Sequence, residues 1–277
     1  MRPFWLVALA FGALVGCGGD DDGKTAGGSG GAVGNGGSGG SAAGGGSGGI
    51  NLGGTSGDGG SAASGSGGGA GCGLLLVGTV RDFQKSHPDF ESFTGNGEKG
   101  IVAAALGADS KPVYVDSPHQ FTSTKANFDQ WYRDVAGTNQ TSAFSFSLTK
   151  NGNVYTYDNG AFFPIDGQGF GDEGNPHNFH FTFELHTEFI YKGGEVFTFT
   201  GDDDLWTFIN GKLAIDLGGV HPSQNGSVDL DAKASELGIE KGKTYALDVF
   251  QAERHTDASH FRIDTNLEFT NCGQPPK

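Results

Sequence analysis

An all-β fold, an antiparallel β-sandwich, is predicted by three observations. Residues 179–189 alternate apolar and polar side chains, short extended runs recur behind them with turn residues between, and helical periodicity is nearly absent. In 179–189, Phe179, Phe181, Phe183, Leu185 and Phe189 share one face, as a strand buried on one side requires. Lys192, Gly193, Gly194 and Glu195 then supply a turn into a second strand at 196–200. A third strand is expected at 205–209, after an acidic loop. Asn210-Gly211 is a strong hairpin signal, since both residues tolerate positive φ, and it leads into a strand at 213–217. Residues 245–252 read as extended, and Phe261, Ile263, Thr265, Leu267 and Phe269 alternate again. Few, short helices are expected: one over 125–135, carrying Phe128, Trp131 and Tyr132, and a turn or two over 231–237. The sequence contains no fixed repeat, dinucleotide fingerprint or phosphate loop.

The 277 residues carry 32 acidic and 17 basic side chains, a formal net charge of −15. That balance excludes nucleic acid as a partner, because phosphate contacts need clustered Lys and Arg; cations and neutral polar ligands fit better. Residues 1–16 read as an export signal, with Arg2 ahead of an apolar run over 4–15 that is too short to span a bilayer. Leu14-Val15-Gly16-Cys17 resembles the lipobox of bacterial lipoproteins, which implies a lipid on Cys17 and an exported, membrane-anchored protein of the outer membrane or cell surface. Between 18 and 71 about half the residues are Gly and most others are Ser, Ala, Thr or Asn. This composition cannot offset its chain entropy, so 17–71 is expected to be a lipidated cysteine plus a disordered tether, roughly 40 Å from end to end. Residues 72–277 form one domain. Cys72 and Cys272 bracket it, and in an exported chain this even pair reads as a disulfide joining the domain's ends, worth roughly 5 kcal/mol by loop entropy.

Several segments in series carry a family resemblance: 79–83 (TVRDF), 87–91 (HPDFE), 162–166 (FFPID), 177–182 (HNFHFT), 201–206 (GDDDLW), 216–221 (DLGGVH) and 252–255 (AERH). Together they resemble the fibro-slime domain, a branch of the protective-antigen-type (PA-fourteen) β-sandwich family found in adhesins, toxins and glycosidase-associated modules. The resemblance runs from about Gly78 to Phe269. It implies a calcium site, since adhesin relatives use two adjacent aspartates at a strand end to hold one ion that ligates sugar hydroxyls. Asp202 and Asp203 match that pair, with Asp204 adjacent, where relatives have Gly or Ser after two aspartates. A second calcium loop is implied at 253–260.

Read from the residues alone, the three aspartates are either a solvated acidic turn or a cation site; calcium takes six to eight oxygens and carboxylates supply them. In a regular strand Asp202 and Asp204 converge and Asp203 does not, so a tight loop or an unusual peptide bond is needed to bring neighbours onto one ion. Glu253, Arg254, His255, Asp257 and Ser259 either complete that site and bind a sugar or form a buried network in which Arg254 pairs with a carboxylate. His221 is a further lining candidate, while Trp206 reads as core. A zinc site of His180, Glu184 and His186 is disfavoured by their spacing along one strand, and Glu184 with Glu195 is a weak acid–base pair for glycan hydrolysis. The functional expectation is a non-catalytic, calcium-assisted carbohydrate-binding or adhesion module acting on cell-surface or matrix glycans. The alternative is a matrix-protein interaction module with structural calcium, and a glycan hydrolase ranks third.

Overall fold

The computed structural model describes residues 74–273. In chain order it contains β1 (Leu75–Phe83), α1 (Lys125–Phe128), β2 (Asn139–Ser147), β3 (Thr149–Asn151), β4 (Val154–Asn159), β5 (Phe181–Tyr191) and β6 (Val196–Gly201). Then follow β7 (Asp204–Ile209), β8 (Lys212–Leu217), β9 (Gln224–Asp229), α2 (Leu230–Leu237), β10 (Lys243–Glu253), β11 (Phe261–Thr265) and β12 (Glu268–Phe269). All pairings between strands are antiparallel. One sheet runs β2-β1-β5-β10-β7-β8, with β12 also on β5; the other runs β3-β4-β11-β6-β9. The domain is the antiparallel β-sandwich that the sequence predicts. Cys17 and Cys72 lie outside the described residues; the backbone carbonyl of Cys272 accepts from Val77 N–H at 2.7 Å, which places Cys272 beside the start of β1.

The alternating aromatic residues build the core between the sheets. Phe181, Phe183, Leu185 and Phe189 of β5 are fully buried against Phe197, Phe199, Phe261 and Ile263 of the other sheet. Phe261 stacks on Phe162 at 4.6 Å and meets Phe199 edge-on at 4.7 Å, geometries that aromatic quadrupoles favour. Close packing also fixes Gly78, where a Cβ would lie 2.4 Å from the Phe183 ring and 2.5 Å from Glu184 O.

The opposite face of β5 departs from expectation. A face bearing His180, Thr182, Glu184 and His186 reads as solvated or partly packed, yet His180, Thr182 and Glu184 are buried. Residues 84–138, a long connection between β1 and β2, fold across that face of the larger sheet. They lay down a second core in which Phe90, Phe128 and Trp131 meet Phe83, Trp206 and Phe250. The larger sheet is therefore covered on both sides, and this is why β7 is buried along its whole length.

Polar groups trapped beneath the connection are paired. Arg81 Nη1 reaches Glu184 Oε1 at 2.7 Å, Lys111 Nζ reaches Glu184 Oε2 at 2.5 Å, and Arg81 Nε reaches Asp134 at 2.8 Å. His186 bridges Glu184 at 3.2 Å and Asp248 at 2.7 Å. A buried carboxylate between two cations is tolerated because each charge finds an opposite partner in a low-dielectric setting. This pairing accounts for His186 on β5, while His180, just before the strand, meets Glu91 at 3.0 Å and Glu173 at 3.5 Å.

The helix expected over 125–135 covers only Lys125–Phe128. Beyond it the Trp131 carbonyl accepts from Thr182 Oγ1 at 2.5 Å, so a tertiary bond takes a backbone group that a longer helix would use, and the indole N–H donates to Asp89. The second helix matches its signals. Asp229 caps its start by accepting from Ala232 N–H, and Gly238 closes it in the left-handed conformation.

Candidate functional site

β6 and β7 belong to different sheets and are joined only by Asp202 and Asp203. So short a crossover requires a sharp reversal, and Asp203 supplies it with a φ of 55°, a left-handed conformation that Asp adopts more readily than most residues. The surroundings hold it there. Asp203 N–H donates to His221 O at 3.2 Å, and its Oδ2 accepts from Arg254 N–H at 2.7 Å.

This turn divides the three aspartates differently from a regular strand. It is the tight loop that neighbouring aspartates need in order to share a corner, since the left-handed residue between Asp202 and Asp204 breaks the strand alternation. Asp204 opens β7 opposite Ala252 and is fully buried. Its Oδ2 takes Arg254 Nε at 2.5 Å and its Oδ1 takes Gly219 N–H at 2.5 Å, so both oxygens are committed to the protein. That corrects Asp204 as a metal ligand. Asp202, by contrast, sits with Asp203 at the corner, its Oδ1 accepting from His260 N–H at 2.6 Å.

Glu253, at the end of β10, is the third carboxylate of this corner. It is 1% exposed, and among the described residues neither of its oxygens makes a well-formed hydrogen bond, although the Ser259 hydroxyl and the Asp203 carboxyl lie close enough to act on its proton. Burial pushes its carboxyl well above the ordinary range, and the neighbouring Asp203 and Asp202 push in the same direction. Asp203 is raised to about 6, by burial first, with Arg254 opposing and Asp204 and Asp202 reinforcing. Asp202 is also raised by burial, against the bond from His260. Three neighbouring carboxyls, each raised chiefly by burial, with Asp202 adding to Asp203 and both adding to Glu253, are oxygen donors of the kind a hard cation takes. Among the described residues no group of three or more His, Cys, Asp or Glu side chains is placed to hold a metal ion, so the fit rests on donor chemistry alone, with Glu253 poorly satisfied.

The remaining predicted ligands separate into two groups. Arg254 is buried and engaged: Nε on Asp204, Nη1 on the carbonyls of Asp89 and Phe121 at 2.9 and 2.8 Å, and its plane 4.6 Å from the Trp131 ring. It follows the buried-network alternative and corrects the assignment of Arg254 to ligand contact. Ser259 is also buried, donating to Phe162 O at 2.7 Å. His221 is enclosed as well, with its ring nitrogens 2.9 Å from Pro222 O and 3.0 Å from Leu217 O. Neither Ser259 nor His221 presents a free group at the surface. His255 and Asp257 do lie on the accessible part of the loop.

Glu91 shapes that loop and is not among the predicted site residues. Its N–H donates to Arg254 O, its Oε1 accepts from Thr256 N–H at 2.9 Å and lies 3.0 Å from His180 Nε2, and His255 is 3.9 Å from Oε2. Partial burial pushes Glu91 up, but the bonds from His180 and Thr256 outweigh it and leave the carboxyl below its usual range. Its left-handed φ of 60° is the local mark of this fixed position. The motif at 87–91 contains it, but only the fold brings it to residues 254–256.

The architecture and corner define the class first: an antiparallel β-sandwich with an acidic crossover between its sheets. Residues 166–277 match the model of the PA14 domain, spanning β5 to β12 and the whole acidic corner. Among curated proteins it is similar to three from Dictyostelium discoideum. Protein psiR is 44% identical over 216 residues, covering 71% of this chain and 21% of psiR. Protein psiQ is 40% identical over 208 residues, covering 69% and 20%, and protein psiD is 39% identical over 215 residues, covering 71% and 42%. The chain thus spans about a fifth to two fifths of these relatives. The crystal structure of the PA14 domain of the MpAFP antifreeze protein aligns over 73% of this chain and 93% of its own at 10% identity and a TM-score of 0.31, a superposition that adds nothing to the assignment.

Proposed function

We propose that the protein is a surface-displayed, non-catalytic module of the fibro-slime branch that binds carbohydrate with the help of calcium. The PA14 family, whose model residues 166–277 match, is often linked to carbohydrate binding or adhesion. The observation that carries the calcium is the Glu253 carboxyl, buried beside Asp202 and Asp203 with no well-formed hydrogen bond to either oxygen among the described residues. Those three residues would hold the ion, which supplies the positive charge the corner lacks and coordination positions for sugar hydroxyls. His255 and Asp257 supply the accessible polar groups of the adjoining loop. Lipid on Cys17 and a flexible tether over 17–71 would present the domain at the outer membrane or cell surface, with a Cys72–Cys272 disulfide closing its ends; the position of Cys272 at β1 favours that bridge.

Calorimetric titration of the purified protein with calcium tests this directly. Binding is expected in the wild type and is lost in Asp203→Ala and Glu253→Gln; absence of binding by the folded wild type removes calcium from the mechanism. The burial of all three carboxylates favours a second reading, a matrix-protein interaction module whose ion is purely structural. Glycan-array binding that disappears when a chelator is added supports the first reading, and an array without binders alongside an intact calcium site supports the second. A hydrolase based on Glu184 and Glu195 gains no support. Glu184 is enclosed by Arg81 and Lys111, while Glu195 caps the β5–β6 turn by accepting from Lys192 and Gly193 N–H.

A further inference from the structure

We propose that Glu91, His180 and His255 form a binding site for a divalent transition-metal ion of the zinc class, separate from the acidic corner. Each comes from a different segment that carries the family resemblance: Glu91 ends 87–91, His180 lies in 177–182, and His255 ends 252–255. None of the three is a ligand of the calcium corner, and only the fold brings them together.

The Glu91 carboxylate stands between two imidazoles, and both turn the same nitrogen toward it. His180 Nε2 lies 3.0 Å from Oε1, and His255 Nε2 lies 3.9 Å from Oε2. Two imidazole nitrogens and a carboxylate are the ligand types of a borderline-soft ion such as zinc, whereas calcium takes oxygen. The spacing fits as well. Ligands bonded at about 2.0–2.1 Å to one tetrahedral ion lie about 3.3 Å apart, and the two observed separations bracket that value. The longer one is too wide for a hydrogen bond, so Oε2 and His255 face each other without being joined.

The neighbouring groups support a ligand set. The other nitrogen of His180, Nδ1, lies 3.5 Å from Glu173 Oε2, in the place of the outer carboxylate that orients a metal-bound imidazole. Glu173 is itself fixed by accepting from Lys85 N–H at 2.6 Å. Glu91 Oε1 accepts from Thr256 N–H at 2.9 Å, which holds the carboxylate against the loop carrying His255. The His180 side chain is only 2% exposed, while Glu91 and His255 are 27% and 29% exposed, so the site is enclosed on one side and open on the other. As placed, no three such side chains among the described residues surround a common point, and rotation of the accessible His255 ring closes the remaining gap. Three protein ligands then leave a fourth tetrahedral position to water, the composition of an accessible zinc site rather than a sealed structural one.

Zinc titration of the full chain by calorimetry tests the site. A binding step is expected that His255→Ala and Glu91→Gln each weaken by about a hundredfold, and Glu173→Gln by about tenfold. Asp202→Ala at the corner should leave it unchanged, as should His177→Ala, which removes an exposed histidine outside the site. Because His255 is accessible, its variant should keep the wild-type thermal unfolding, and cobalt(II) in place of zinc should give the visible absorption of a tetrahedral nitrogen–oxygen site. No zinc binding by the folded wild type overturns the proposal. Binding that survives both His255→Ala and Glu91→Gln unchanged, or that Asp202→Ala abolishes, overturns it equally.

Discussion

Arg254→Ala should destabilise the protein by roughly 3–5 kcal/mol, the cost of leaving a buried charge without its partner. The guanidinium simultaneously neutralises Asp204, satisfies the carbonyls of Asp89 and Phe121, and lies against Trp131. Its removal strands a fully buried carboxylate and frees the 84–138 connection from the end of β10. Against a typical domain stability of about 5–15 kcal/mol, that is a large share. Arg254→Lys should recover only part of the loss, because an ammonium cannot serve the carboxylate and two carbonyls in the same planar arrangement. Urea unfolding followed by tryptophan fluorescence reads both variants. A loss below about 1 kcal/mol for Arg254→Ala would mean that water reaches the pair and that it contributes like a surface ion pair.

Glu184→Leu should be comparably severe, about 3–5 kcal/mol, because Arg81 and Lys111 would both lose their shared buried counter-charge. Glu184 also sets a pH dependence. Burial pushes its carboxyl up, but His186, Arg81 and Lys111 more than reverse this and bring it from 4.5 to about 2. A depressed acid contributes stability that is present above the unfolded value of 4.5 and lost as pH falls toward 2. His186 moves the other way: burial lowers it, yet Asp248 and Glu184 raise it above 6.5. Its contribution is complete below 6.5 and disappears as pH climbs through the raised folded value. The network as a whole therefore stabilises most between about 4.5 and 6.5. Glu184→Gln should flatten the acid side of the stability–pH profile, and His186→Gln the alkaline side. Unchanged slopes in both would show that the cluster does not titrate with folding.

The alternation of 179–189 and the Asn210-Gly211 hairpin made the sandwich legible in the sequence, since period-two burial and positive-φ turns are local properties. Trp206 reads correctly as core for the same reason: it is fully buried and donates to Asp216. The cover over the other face of β5 was not legible. Its contacts join residues 84–138 to strands far along the chain, and a polar face gives the same period whether water or Arg81 and Lys111 lies above it. The acidic corner was legible in composition but not in direction. A single left-handed residue, Asp203, decides which of its neighbours shares a site with Glu253 and which shares a salt bridge with Arg254. Glu91 belongs to this second kind of information, recognisable as part of a motif and brought to residues 254–256 only by folding.

The register of the larger sheet has a mechanical consequence. The chain enters β1 at Leu75, and the acidic corner lies at the opposite end of the same sheet, where Asp82 and Glu253 both face Phe181 and Ala252 faces Asp204. A pull between the entering chain and anything gripped at the corner is directed along the strands. It loads the β1 ladders to β2 and β5 in shear, so many hydrogen bonds resist together instead of opening one after another as in a zipper. The entering chain and the acidic corner thus sit at opposite ends of the larger sheet.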